Sequence, residues 1–148
     1  MPQIEILDLQ IEVRQYQYLE ATEYYDANWL DVGIRYAGLS SKIWFDEPCL
    51  LTVDLLAFRD ELISLSELGT DKASLTPLEP YIRLDIKRVG SLGGLEVDLV
   101  LRPDPVCESH RLTMSADLSY LPRVIAQLNK VLAQFPVRLE TQCSSGCR

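Results

Sequence analysis

The segment from Leu121 to Phe135 constrains the fold more than any other part of the chain. Leu121, Val124, Ile125, Leu128, Val131, Leu132 and Phe135 recur at three- and four-residue spacing, with Arg123, Gln127, Lys130 and Gln134 between them. At 3.6 residues per turn this lines one side of a helix with apolar groups and leaves the other to water. Such a helix has one face to bury, so it must lie on a sheet or on other helices. Ser119 is placed to cap its start, Pro122 fits its first turn, and Pro136 stops it.

A second helix is predicted over 52–68. Leu51, Leu55, Phe58, Leu62 and Leu65 share its apolar side, with Arg59, Asp60, Ser64 and Glu67 elsewhere around it. Thr52 is the expected N-cap, Asp54 suits the positive helix start, and Gly69 can end it.

The remaining segments alternate with period two, which is the signature of half-buried strands. Residues 4–13 read as one strand, with Leu7, Leu9, Ile11 and Val13 on a face. The tyrosine-rich stretch 15–26 reads as a loop with an irregular extended piece. Asn28 to Tyr36 and Lys42 to Phe45 form an expected hairpin through Ala37-Gly38, Ile43 and Phe45 sharing one face. Beyond a loop holding Pro77 and Pro80, three more strands follow: Tyr81 to Arg88, Leu95 to Leu101 and Arg111 to Asp117. A short extended piece, Val137 to Leu139, comes after the last helix.

This order is strand-strand-strand-helix, twice, and a duplicated unit would produce it. The expected class is α+β: about six mostly antiparallel strands, in one sheet or two, with two amphipathic helices over the apolar face. At 148 residues the chain has the length of one domain with an ordinary core, spanning about 4–139, and a polar tail at 140–148. No run approaches the 18 or so apolar residues a membrane helix needs, and the start lacks a basic flank and apolar stretch. A cytoplasmic location is expected.

Reactive constellations are missing. Nucleophilic and acid–base sites require complementary groups within hydrogen-bond reach. The single histidine, His110, lies in a polar loop near Cys107 with no evident partner for catalysis. Gly90, Gly93 and Gly94 precede a strand, unlike a phosphate-binding loop, which opens a helix. Cys143 and Cys147 stand four apart at the C-terminus; they can pair, bind a soft metal or stay free, but a zinc site needs two further ligands. The chain therefore reads as non-enzymatic, without metal or cofactor.

Charge points instead to a partner. The formal net charge is −8, which disfavours a phosphate backbone and favours a basic protein. Between Asp46 and Glu79 eight acids face two bases, a net −6. The expected contact surface lies on this span, using Asp46, Glu47, Asp60 and Glu61, with anchoring by Tyr24, Tyr25 or Trp44, because aromatic side chains carry much of the energy of interfaces.

With these segments in place, the chain resembles the WapI family of bacterial immunity proteins. The likeness lies in Tyr25-Asp26-Ala27-Asn28-Trp29-Leu30, in the helix around Phe58-Arg59-Asp60, and in Leu78-Glu79-Pro80 ahead of a strand. It is fullest in the last helix, from Ser119-Tyr120-Leu121-Pro122 through Gln127-Leu128 to Phe135-Pro136-Val137. The resemblance implies a cytoplasmic protein that binds and blocks a polymorphic toxin domain, without catalytic residues of its own. Two other classes compete. An accessory domain would bind a different protein or form a homodimer through a sheet edge. A hydrolase would require distant carboxylates brought together with a shifted pKa.

Overall fold

The expected strand 4–13 is a hairpin, which changes the strand count of the whole first half. In the computed structural model, which describes residues 2–139, β1 (Gln3–Ile6) pairs antiparallel with β2 (Leu9–Tyr16), Ile4 opposite Ile11 and Ile6 opposite Leu9. Leu7 turns the chain in the left-handed conformation at φ 57°, and its N–H donates to the Tyr120 hydroxyl at 2.8 Å. Turns of this kind favour Gly or Asn. A leucine there carries no such signal.

After a five-residue helix, α1 (Tyr24–Asn28), β3 (Trp29–Ala37) and β4 (Lys42–Leu51) complete a sheet of order β1-β2-β3-β4. Ile43 and Phe45 are buried while Lys42, Trp44 and Asp46 are exposed, as the alternation predicts. Helix α2 (Thr52–Ser66) follows without a loop and buries Leu55, Phe58, Leu62 and Leu65. Its cap differs from expectation. Thr52 is already helical, and the Asp54 carboxylate instead accepts from the N–H of Leu51 at 2.8 Å. At the other end Leu68, not Gly69, takes the left-handed position, at φ 63°.

The second half repeats the first. β5 (Lys72–Leu75), β6 (Ile82–Val89), β7 (Gly94–Asp104) and β8 (Glu108–Asp117) make a second antiparallel sheet in sequence order. A single 3-10 turn, Leu118–Tyr120, leads into α3 (Leu121–Gln134). That turn is capped by Asp117, whose carboxylate accepts from Ser119 N–H at 2.9 Å, so Ser119 is not the cap expected of it. Val137 to Leu139 is not a strand.

The α+β class holds, but among the described residues there are eight strands and three α-helices, not six and two. The missed strands, β1 and β5, are four residues each, too short for alternation to define. They are also equivalent. The strands run 4, 8, 9 and 10 residues in one half and 4, 8, 11 and 10 in the other, followed by helices of 15 and 14. The unit is strand-strand-strand-strand-helix, twice.

The halves exchange their helices. α2 packs on β5 and α3 on β1, while the two helices also meet each other. Each helix satisfies the open edge of the strand it covers. Gln127 of α3 accepts from Glu5 N–H and donates to its carbonyl, and Glu61 of α2 accepts from Ser74 N–H at 2.9 Å. Residues from both sheets and both long helices form one buried apolar cluster.

Candidate functional site

A bulge in β4 shapes the most distinctive concavity. Val32 pairs with Glu47 and Leu30 with Leu50, so Pro48 and Cys49 together stand opposite Asp31. Bulges redirect side chains and interrupt pairing, and Pro48 brings no N–H to this open edge. Glu47 shares a face with the buried Val32 and is half-buried itself. It lines a cleft of about 270 Å³ with Tyr18, Trp29, Pro48, Glu79 and Tyr81. Three segments converge here: the loop after β2, the β3–β4 margin, and the loop between β5 and β6.

The cleft is acidic and aromatic. Neither the Glu47 nor the Glu79 carboxylate has an ion pair or hydrogen bond among the described residues. The Tyr81 hydroxyl is held above the ordinary phenol range, first by the nearby Glu47 carboxylate and also by Glu79. Tyr18 is 48% exposed and Leu78 68% exposed, so apolar surface flanks the carboxylates.

The Tyr18 wall is fixed from the far end of the chain. The Arg138 guanidinium donates to the carbonyls of Tyr18 at 2.8 Å, Leu19 at 3.2 Å and Ala27 at 2.8 Å, and lies 3.8 Å over the Tyr16 ring. Asn28, fully buried, is bonded at both ends of its amide. Its Nδ2 donates to the carbonyls of Tyr24 and Arg138; its Oδ1 accepts from Thr52 Oγ1 and Arg138 N–H, all within 2.8–2.9 Å. Neither role was visible in the sequence, because partners 110 residues away carry it.

The expected contact residues are distributed over several features. Asp46 is exposed on β4 but ion-paired to Arg14 at 2.6 Å and Arg35 at 3.1 Å; the Arg14 hydrogen bond, first, holds its carboxyl below the usual range. Asp60 pairs with Arg59 at 3.0 Å, and Glu61 caps β5. Tyr24 and Tyr25 stack edge to face at 5.4 Å, with Tyr25 57% exposed. Trp44 is 64% exposed beside Lys42, Pro103, Glu108 and His110. Of the seven, Glu47 alone lines the acidic cleft. Sequence reasoning missed Glu79, Tyr81, Tyr18 and Trp29 as its companions, since only the fold brings them together.

Elsewhere the reactive groups are muted. Burial pushes the Cys49 thiol up to about 12. Asp104 holds the Cys107 thiol above its ordinary range, and His110 pairs with Glu108 at 2.6 Å, not with a thiol. No group of three or more metal-ligating side chains forms among the described residues, and no helix there is long and apolar enough to cross a membrane. Cys143 and Cys147, with the expected tail, lie outside the described residues.

A family model described as "Immunity protein WapI-like family" matches residues 3–136. No match is found among the curated proteins. Among solved structures, the chain is similar to "Crystal Structure of WHY3 from Arabidopsis thaliana" at 15% identity and TM-score 0.48, over 93% of this chain and 86% of that one. It is similar to "Structure of the plant transcriptional regulator PBF-2" at 15% identity and TM-score 0.47, over 93% of this chain and 80% of that one. Similarity at this level says nothing of function.

Proposed function

We propose that this chain, which belongs to the immunity protein WapI-like family, binds a cognate bacterial toxin domain in the cytoplasm and neutralises it by occlusion. The family match over residues 3–136 carries this reading. It spans both four-strand units and both long helices, so the likeness is to the whole scaffold and not to one motif.

The chemistry of the surface supports the same conclusion. A formal net charge of −8 steers a basic partner toward the chain and sets its orientation. Tyr25 and Trp44 offer large exposed aromatic faces, the side chains that anchor interfaces. Asp46, Asp60 and Glu61 have internal partners. In this reading they contribute to the long-range field, and Glu47 makes direct contact. The inhibitor works by covering its partner, with no turnover and no cofactor. Because the halves exchange helices, the chain acts as one domain.

The test is a pull-down of the purified protein with the C-terminal domain of a large secreted protein encoded immediately upstream, with affinity read by calorimetry. A tight one-to-one complex that abolishes that domain's toxicity is expected. Absence of binding would overturn the assignment.

A further inference from the structure

We infer that the cleft formed by Tyr18, Trp29, Glu47, Glu79 and Tyr81 is a socket for an arginine side chain of the partner protein. The identity of that partner rests on the immunity reading; the chemistry of the socket rests on the cleft alone.

Size comes first. At about 270 Å³ the cleft falls below the roughly 300–1,000 Å³ of pockets that enclose small-molecule ligands. One long side chain suits it better than a cofactor. Charge comes second. Carboxylates elsewhere on the chain are matched by cations: Asp46 to Arg14 and Arg35, Asp60 to Arg59, and Asp71 to Arg88. Glu47 and Glu79 are the two in this cleft, no basic residue lines it, and Glu47 is half-buried. A partly buried carboxylate without a cation is costly unless one arrives from outside.

The walls then select the cation. Trp29, Tyr18 and Tyr81 supply aromatic rings, whose faces attract cations, most strongly when the site is desolvated. A guanidinium is flat, stacks on such rings, and forks two N–H donors toward a carboxylate; an ammonium does neither and is more strongly hydrated. The chain itself shows the first half of this chemistry at Arg138 over Tyr16, 3.8 Å from the ring centre. Exposed Tyr18, Leu19 and Leu78 supply apolar surface that can exclude water around a seated arginine.

The experiment titrates the full ¹⁵N-labelled chain with acetyl-Gly-Arg-Gly-amide, using the citrulline and lysine peptides as controls. The Trp29 indole N–H signal is assigned by comparison with W44F. The arginine peptide is expected to shift that signal together with the amides of Glu47, Glu79 and Tyr81. Citrulline, equal in shape but uncharged, should shift none of them. The E47Q/E79Q variant should bind the arginine peptide at least about tenfold more weakly, as for lost charge-assisted hydrogen bonds. An unmoved indole, an equal response in E47Q/E79Q, or equal binding of the lysine peptide would overturn the socket. The toxin domain separates the two readings. Wild-type affinity of E47Q/E79Q for it overturns the socket and leaves the immunity assignment standing; failure of the wild-type chain to bind it overturns that assignment while the peptide titration still decides the cleft.

Discussion

Gln127 holds both backbone groups of Glu5: its Oε1 accepts from Glu5 N–H at 2.8 Å, and its Nε2 donates to the Glu5 carbonyl at 3.1 Å. One side-chain amide thus stands where a further strand would pair, closing the edge of β1 with a residue of α3. An open edge is a template for unwanted pairing, and here the helix of the opposite half blocks it. The Q127A variant should lose both bonds and about 1–3 kcal/mol of stability. Urea denaturation is the check; an unchanged midpoint and slope would show that water replaces the amide without loss.

Asn28 makes a sharper case, because its amide is fully buried and satisfied on every side. N28A leaves Thr52 and the Arg138 backbone without partners in the interior, at a cost of about 3 kcal/mol. N28D keeps the acceptor toward Thr52 and Arg138 N–H but replaces the donor facing two carbonyls with an oxygen. It should be at least as damaging at neutral pH and recover partly in acid, as the carboxyl regains a proton to donate. Thermal melts of both variants across pH 4–8 test this ordering.

These two residues also show what the sequence could and could not disclose. The apolar stripe of α3 is local, so Leu121, Val124, Leu128 and Val131 are legible from spacing alone, and all are buried. The β1–β2 hairpin left a trace as well. Ile4 and Ile6 fall on even positions and Leu9, Ile11 and Val13 on odd ones, a change of parity that a two-residue turn at Leu7-Asp8 produces. Reading Leu7 into the second set concealed it. The cleft left no comparable trace. Tyr18, Glu47 and Glu79 are joined by a bulge and by two loops, the one with Tyr18 held from Arg138, and long-range packing of that sort has no period. The count of charges picks out the acidic span 46–79 but could not reveal that Asp46, Asp60 and Glu61 have partners inside the protein.

Gly33 lies between Glu12 and Asp46 across three strands, and its missing side chain lets Arg14 reach over it. A Cβ there would stand 2.4 Å from Arg14 Nη2 and 2.9 Å from Asp46 Oδ1. Both are ends of side chains, so G33A should fold and displace the arginine at a cost under about 1 kcal/mol, the scale of an exposed pair. The pH dependence has a definite sign. The Asp46 carboxyl is depressed in the folded state, so its contribution is present above the ordinary carboxylate range and is lost as pH falls through the depressed value. G33A and D46N should both flatten that acid-side loss. Titration of Asp46 by carbon NMR in G33A should show its pKa raised toward normal; no movement would mean Arg14 keeps its grip.

The thiols Cys49 and Cys107 should separate by labelling. Cys49 is a buried residue of the β4 bulge and its thiol is pushed up to about 12, so little thiolate forms at pH 8. Cys107 is exposed, but its thiol is held above the ordinary range, chiefly by the Asp104 charge. Maleimide labelling followed by peptide mass mapping should find Cys107 modified slowly and Cys49 only after unfolding. D104N retains an oxygen for the Val106 and Cys107 N–H groups while removing the charge, and should speed labelling at Cys107. Early modification of Cys49 would indicate that the bulge opens in solution.

Glu61 serves the fold and, in the proposed function, the field, and substitution can divide those roles. Its Oε1 accepts from Ser74 N–H, closing β5 as Gln127 closes β1. E61Q retains an oxygen for that bond and removes the charge; E61A removes both. Stability should therefore fall in E61A, by about 1 kcal/mol for a bond on an exposed edge, and stay near wild type in E61Q. Association with a basic toxin domain should follow the opposite rule. D60N/E61Q should slow it and lessen its dependence on salt, since steering by separated charges is screened within about 10 Å at 0.1 M ionic strength. If stopped-flow rates of D60N/E61Q match wild type across a salt series, α2 does not steer the partner, and Glu61 is present for β5 alone.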